Sequence, residues 1–99
     1  MGAELFAVKA RGKTAQEAFN NAVQEARYDF GHAGYSGTIA EKDSFEMANV
    51  PVGMSPKEYV DNFFKDSSDS PFDDKWGPAG CVKDPYAEDT YVFFGWASS

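Results

Sequence analysis

The hydrophobic and polar positions of the chain repeat with two different periods, and each period predicts one kind of element. Residues 4–10 alternate with a period of two, which predicts a strand with Phe6, Val8 and Ala10 on one face. Residues 15–30 repeat apolar side chains at intervals of three and four, which predicts a helix with one buried face. The many alanines on that face indicate that the helix lies close to a sheet.

Both predicted helices carry sequence signals for their ends. Thr14 and Glu17 form a capping box before the first helix, and Gly31 is typical of a helix stop. Ser55 and Glu58 form a second capping box, which predicts a second helix that ends near residue 65. The inner face of this helix is supplied by Tyr59, Val60, Phe63 and Phe64.

The rest of the chain predicts further strands and one long loop. Residues 38–42 are predicted to form a strand, which either turns into residues 45–48 or continues with a bulge. Residues 66–78 read as a polar loop, and residues 79–83 as a short strand. Residues 90–97 form the most apolar strand, and we expect it at the centre of the sheet, buried on both faces.

The order of these elements predicts an α+β fold in a single domain, residues 1–99. We expect two helices packed on one face of a mostly antiparallel four- or five-stranded sheet. A ferredoxin-like βαββαβ core is the nearest named alternative.

Composition and charge narrow the classes of function. The chain is 42% hydrophobic and 16% aromatic, a load that disordered chains lack. Its formal net charge is −7, and residues 57–90 hold nine acidic residues against four lysines. A surface of this sign repels phosphate, so we expect no direct binding of nucleic acid. It is compatible with a basic protein partner or with imitation of a phosphate backbone, and solubility alone is the simpler reading.

The number of cysteines and the length of the apolar segments indicate the cellular compartment in which the protein is expected. Cys81 is the single cysteine, so an intrachain disulfide is excluded, and we interpret it as a small buried hydrophobe in a strand. The start of the chain lacks the features of a signal peptide, and no apolar run approaches the length of a membrane helix. We therefore expect a cytoplasmic protein without membrane contact, and no metal or cofactor is predicted.

A glycine-spaced loop at residues 31–37 is the candidate ligand site. The loop holds the only histidine, the side chain whose ordinary pKa lies nearest neutrality. A ligand clamp would use His32, Gly34, Tyr35, Ser36 and Glu41. The alternative is a glycine cap followed by tight turns, because phosphate cradles sit at helix N-termini and this loop follows a C-terminus. No catalytic residue is predicted.

Acidic and aromatic side chains in the second half form a candidate contact surface. Its members are Asp61, Asp66, Asp69, Asp73, Asp74, Trp76 and Trp96. The alternatives are a solvated loop for the carboxylates, whose spacing fails the EF-hand template, and core filling for the two tryptophans.

Three segments of the chain, residues 31–42, 75–80 and 93–97, are similar to segments of a known group of proteins. Together they resemble a group of small, uncharacterised proteins encoded by bacteriophages. The resemblance transfers no activity and no site residue. It implies a phage accessory protein in the cytoplasm of a bacterial host.

The leading hypothesis is a small acidic, non-enzymatic binding protein, a phage accessory factor that contacts a host or phage protein. One alternative is a binder of a small ligand or nucleotide derivative, or a hydrolase, built on the 31–37 loop. Another is a structural homo-oligomer joined through the C-terminal strand, since an apolar edge strand invites pairing.

Overall fold

The fold is known from a computed structural model of the 99-residue chain. The structure describes residues 3–30, 38–65, 77–84 and 87–98. Within these ranges the elements follow one another as strand, helix, short 3-10 helix, strand, helix, strand and strand. The α+β class is therefore confirmed.

The two longest strands of the described sheet pair with each other. β1 (Ala3–Arg11) and β4 (Thr90–Ser98) pair antiparallel over all nine residues, from Ala3 opposite Ser98 to Arg11 opposite Thr90. β3 (Ala79–Lys83) pairs antiparallel with the other side of β4. The predicted central position of the last strand is confirmed, and Phe93 and Phe94 at its middle are fully buried.

The fourth strand makes the sheet mixed. β2 (Phe45–Met47) pairs parallel with β3, so the order across the sheet is β1-β4-β3-β2. Two adjacent parallel strands need a crossover connection, and the second helix supplies it here. The prediction of a mostly antiparallel sheet of four or five strands is confirmed, with four strands in the described residues.

The helix ends lie where the capping signals predict them. α1 spans Ala15–Phe30, and the Thr14 hydroxyl accepts a hydrogen bond from the Glu17 N–H at 3.1 Å. α2 spans Pro56–Lys65, and the Ser55 hydroxyl accepts from the Glu58 N–H, also at 3.1 Å. Each hydroxyl satisfies an N–H that has no partner inside its helix.

The strand predicted at residues 38–42 is wrong. Ile39–Glu41 forms a 3-10 helix, and the Thr38 hydroxyl caps it by accepting from the Ala40 N–H at 3.2 Å. The Thr38 and Ile39 carbonyls accept from the Glu41 and Lys42 N–H groups. These local bonds replace a strand ladder, while the turn still buries the Ile39 side chain completely.

The predicted placement of both helices on one face is also wrong. Phe93 and Phe94 are neighbours in β4, so their side chains point to opposite faces of the sheet. Phe93 contacts Phe19 of α1 with ring centroids 5.6 Å apart, and Phe94 contacts Phe63 of α2 at 5.1 Å. The two helices therefore lie on opposite faces, which we call the α1 face and the α2 face.

The direction of the chain across the sheet explains this placement. The chain crosses from β1 to the far edge at β2 and then steps back to β3, so the two crossovers run in opposite directions. Crossovers between parallel strands are right-handed in nearly all proteins, and reversing their direction moves the helix to the other face. The ferredoxin-like alternative is wrong as well, because two strands follow α2 instead of one.

Candidate functional site

β1 forms one edge of the sheet, and its outer side is the first part of the candidate site. All nine residues pair with β4, and no strand in the described ranges pairs with the opposite side. An edge of this kind presents main-chain N–H and C=O groups to a further strand. The other edge belongs to β2, which is only three residues long. β1 therefore offers much the longer edge.

A groove of about 540 Å³ lies beside this edge, between β1 and α2, and we call it the β1–α2 groove. Val60, Val82 and Val92 give it an apolar interior, and the first two are buried. One wall is lined by Ser55, which caps α2, and by Pro56, Lys57 and Asp61 of α2. The sheet side is lined by Ala7, Val8, Lys9 and Asp84. A volume of this size accommodates a few apolar side chains or a small ligand.

Two features of the sequence leave the groove open. Tyr59 and Phe63 contact Phe94, with ring centroids 5.9 and 5.1 Å apart, and these contacts hold α2 over β4. On β1 the apolar residue whose side chain points to the groove is Ala7, and its methyl group is too short to fill the space beside the helix. The groove is therefore the part of the α2 face that α2 does not cover.

Charges at the rim of the groove are balanced. The Lys9 Nζ lies 3.6 Å from the Asp84 Oδ2, and the two side chains are 69% and 15% exposed. Lys57 and Asp61 add one charge of each sign from α2, and both are exposed. An ion pair at the surface contributes about 0–1 kcal/mol. The rim therefore gives the groove no net sign, and its apolar interior is what distinguishes it.

The predicted ligand clamp falls mostly on residues that lie outside the described ranges. These are His32, Gly34, Tyr35 and Ser36. Glu41 is described: it ends the 3-10 helix, is half-buried and does not line the β1–α2 groove. The clamp accordingly stays a prediction.

The predicted acidic and aromatic contact surface is described at two of its positions. Asp61 is exposed at the rim of the groove, and Trp96 is half-buried on the α2 face beside the cluster of Phe94 and Phe63. The remaining members, Asp66, Asp69, Asp73, Asp74 and Trp76, lie outside the described ranges. The structure thus links one predicted residue, Asp61, to the groove.

Cys81 is a structural residue. Its side chain is fully buried in the cluster under α1, and burial raises the pKa of the thiol to about 12. The thiol therefore stays protonated near neutral pH, while the reactive form of cysteine is the thiolate. The interpretation of Cys81 as a small buried hydrophobe is confirmed.

The described residues contain neither a metal-binding cluster nor a membrane-spanning helix. No group of three or more histidine, cysteine, aspartate or glutamate side chains lies close enough together there to hold a metal ion. No helix in the same residues has the length and apolar character to cross a bilayer.

The C-terminal strand, the predicted joint of a homo-oligomer, is an inner strand of the described sheet, and the homo-oligomer stays a prediction. β1 covers one side of β4 over its whole length, and β3 covers the other side from Tyr91 to Phe94. Among the described strands, an edge suited to pairing with a second copy belongs to β1.

Sequence reasoning did not single out three of the residues that line the groove, Ala7, Lys9 and Asp84. Their local pattern is that of an ordinary strand and turn, and nothing in it shows which strand lies at an edge.

Comparisons with protein-family models, with curated proteins and with solved structures found no match to this chain.

Proposed function

We propose that this protein is a small non-enzymatic binding domain that takes up an extended segment of a partner protein along β1. The observation that carries the proposal is the nine-residue edge of β1, unpaired by any described strand and flanked by the β1–α2 groove. Addition of a strand to an open sheet edge is a common mode of peptide recognition.

The edge and the groove would contribute different parts of the binding energy. Main-chain hydrogen bonds along β1 would hold the segment over the part of the edge before Arg11, whose carbonyl already accepts from the Asn21 side chain. Every second side chain of the segment would point to the α2 face and reach the groove over Ala7. The hydrogen bonds would supply affinity, and the groove would supply selectivity for apolar side chains.

The acidic character of the chain fits a protein partner better than a nucleic acid. The net charge is −7, and the described acidic residues between 57 and 90 include the exposed Glu58, Asp61, Glu88 and Asp89. Such a surface would attract a basic protein. Under the resemblance to bacteriophage proteins, the partner would be a host or phage protein and this chain an accessory factor.

The experiment is selection of peptides from a displayed library of random dodecapeptides on the immobilised full-length chain. Selected peptides are then measured against Ala7→Pro and Val8→Pro. Residues next to each other in an edge strand direct their N–H groups to opposite sides, so one proline removes an outward donor and the other removes a bond to β4. We expect one variant to keep its fold and lose peptide binding at least tenfold.

Circular dichroism and thermal unfolding of both variants show which proline leaves the sheet intact. One of the two prolines removes an outward N–H of β1. If that variant is folded and still binds every selected peptide at full affinity, the proposal is contradicted. Amide hydrogen exchange of the wild-type complex gives an independent readout, because strand addition slows exchange along β1.

A further inference from the structure

We infer that the segment bound along β1 alternates basic and apolar side chains. This inference rests on the proposed function and adds the chemistry of the partner. It follows from the different surroundings of the β1 edge on the two faces of the sheet.

On the α2 face, a strand added to β1 meets apolar surface. Leu5 and Ala7 are the side chains of β1 that point to this face around the groove, and Val92 and Val60 continue the surface inward. Lys9 points the same way and lies beside Asp84, 3.6 Å from its carboxylate. Side chains of the partner on this face therefore gain most by being apolar.

On the α1 face, the β1 edge runs beside a flank of α1. The Asn21 side chain donates a hydrogen bond to the Arg11 carbonyl at 2.9 Å, which fixes this flank against β1. Asn21 and Glu25 line a shallow depression together with Lys9, Ala10, Arg11 and Thr90. Asp29 follows Glu25 by four residues and so lies on the same flank of the helix.

The charges on this side of the edge are negative. Glu25 and Asp29 are both exposed, and Glu4 of β1 alternates onto the same face. Lys9 and Arg11 also line the depression, but their side chains leave β1 on the α2 face, where the Lys9 ammonium pairs with Asp84. Partner side chains that point to the α1 face therefore gain by being basic, in keeping with the net charge of −7.

Because side chains of a strand alternate between the two faces, the combined preference is an alternation of basic and apolar residues. The peptides selected on the immobilised chain are expected to show this pattern. A synthetic eight-residue peptide of alternating valine and lysine, capped at both ends and labelled, tests it directly by fluorescence anisotropy. Its companions alternate valine with threonine and valine with glutamate.

The matched pair of variants is Glu25→Gln/Asp29→Asn and Asp43→Asn/Glu46→Gln. Each replaces one glutamate and one aspartate, and the second pair lies at exposed positions at or beside β2, on the opposite edge of the sheet. The first pair of substitutions is expected to weaken binding of the valine–lysine peptide roughly three- to twentyfold and to leave binding of the valine–threonine peptide unchanged. The second pair is expected to change the affinity for neither peptide. Rising salt should weaken binding of the valine–lysine peptide most.

The outcomes separate this inference from the function on which it rests. If the peptides need the β1 edge but bind equally well with threonine in place of lysine, the inference is wrong. The proposed function is then unaffected. Selected peptides that ignore both prolines would overturn the function itself. A dimer in light scattering that the edge-blocking proline abolishes would show that a second copy occupies β1, and this result would also overturn the inference.

Discussion

At the scale of single residues, the contact between Gly80 and Phe94 organises the α2 face. The two residues lie opposite each other on β3 and β4, and the Phe94 ring lies over Gly80. A Cβ at position 80 would lie 2.4 Å from the Phe94 Cζ, well inside van der Waals contact. The ring is completely buried and is held by Tyr59 and Phe63, so it has little room to move.

We predict that Gly80→Ala lowers the free energy of unfolding by about 1–3 kcal/mol, because the added methyl group overpacks the site. Urea denaturation measures the change. The double variant Gly80→Ala/Phe94→Leu should lose less than the sum of its single variants, since leucine vacates the space that the methyl group needs. Strict additivity of the two changes would show that the ring does not sit over Gly80.

At the scale of elements, short hydroxyl side chains set where helices begin. Thr14 and Ser55 cap the two α-helices at the positions that the sequence predicts. Thr38 caps the 3-10 helix by the same kind of bond, yet its surroundings read as the start of a strand. A capping hydroxyl therefore marks a helix start here in all three cases, and the alternation of apolar residues after Thr38 is the misleading signal.

We predict that Thr14→Ala costs about 1 kcal/mol of stability, because it leaves the Glu17 N–H without its side-chain acceptor. Thr14→Ser retains the hydroxyl and should cost far less. Thermal unfolding of the two variants and the wild type provides the comparison. Equal losses for alanine and serine would mean that the methyl group of Thr14, and not its oxygen, supports α1.

At the scale of the whole molecule, the sheet separates two aromatic clusters. Phe19, Phe45 and Phe93 contact one another on the α1 face with ring centroids 5.2–5.6 Å apart. Phe63 and Phe94 belong to a second cluster on the α2 face. Among the described residues the clusters share no side chain, although consecutive residues of β4 supply one member to each.

This separation predicts a pattern of energetic coupling. Phe19→Leu and Phe63→Leu should be additive in the free energy of unfolding to within about 0.5 kcal/mol, because the two rings share no partner. Phe63→Leu and Phe94→Leu remove two rings that touch, so their combined effect should depart from additivity by about 0.5–3 kcal/mol. Coupling of the first pair as strong as the second would contradict the placement of the helices on opposite faces.

Much of the architecture could be read from local patterns. Helix periodicity and capping residues act within a few positions of the chain, and they predicted α1 and α2 with their ends. The alternation of residues 4–10 and the dense apolar run of residues 90–97 predicted β1 and the central β4 for the same reason. A local rule misled where a buried side chain was compatible with two backbones, as at Ile39, which a strand or a 3-10 turn buries equally well.

The candidate site lay beyond such reasoning, because its two parts depend on pairing between distant segments. The edge of β1 exists because β4, whose residues lie 79 to 95 positions further along the chain than their partners in β1, pairs with one side only. The groove exists because Phe94 holds α2 over β4 and leaves Ala7 uncovered. Which strand is last in a sheet and which face a helix covers are properties of long-range contacts, and a chain read one segment at a time does not contain them.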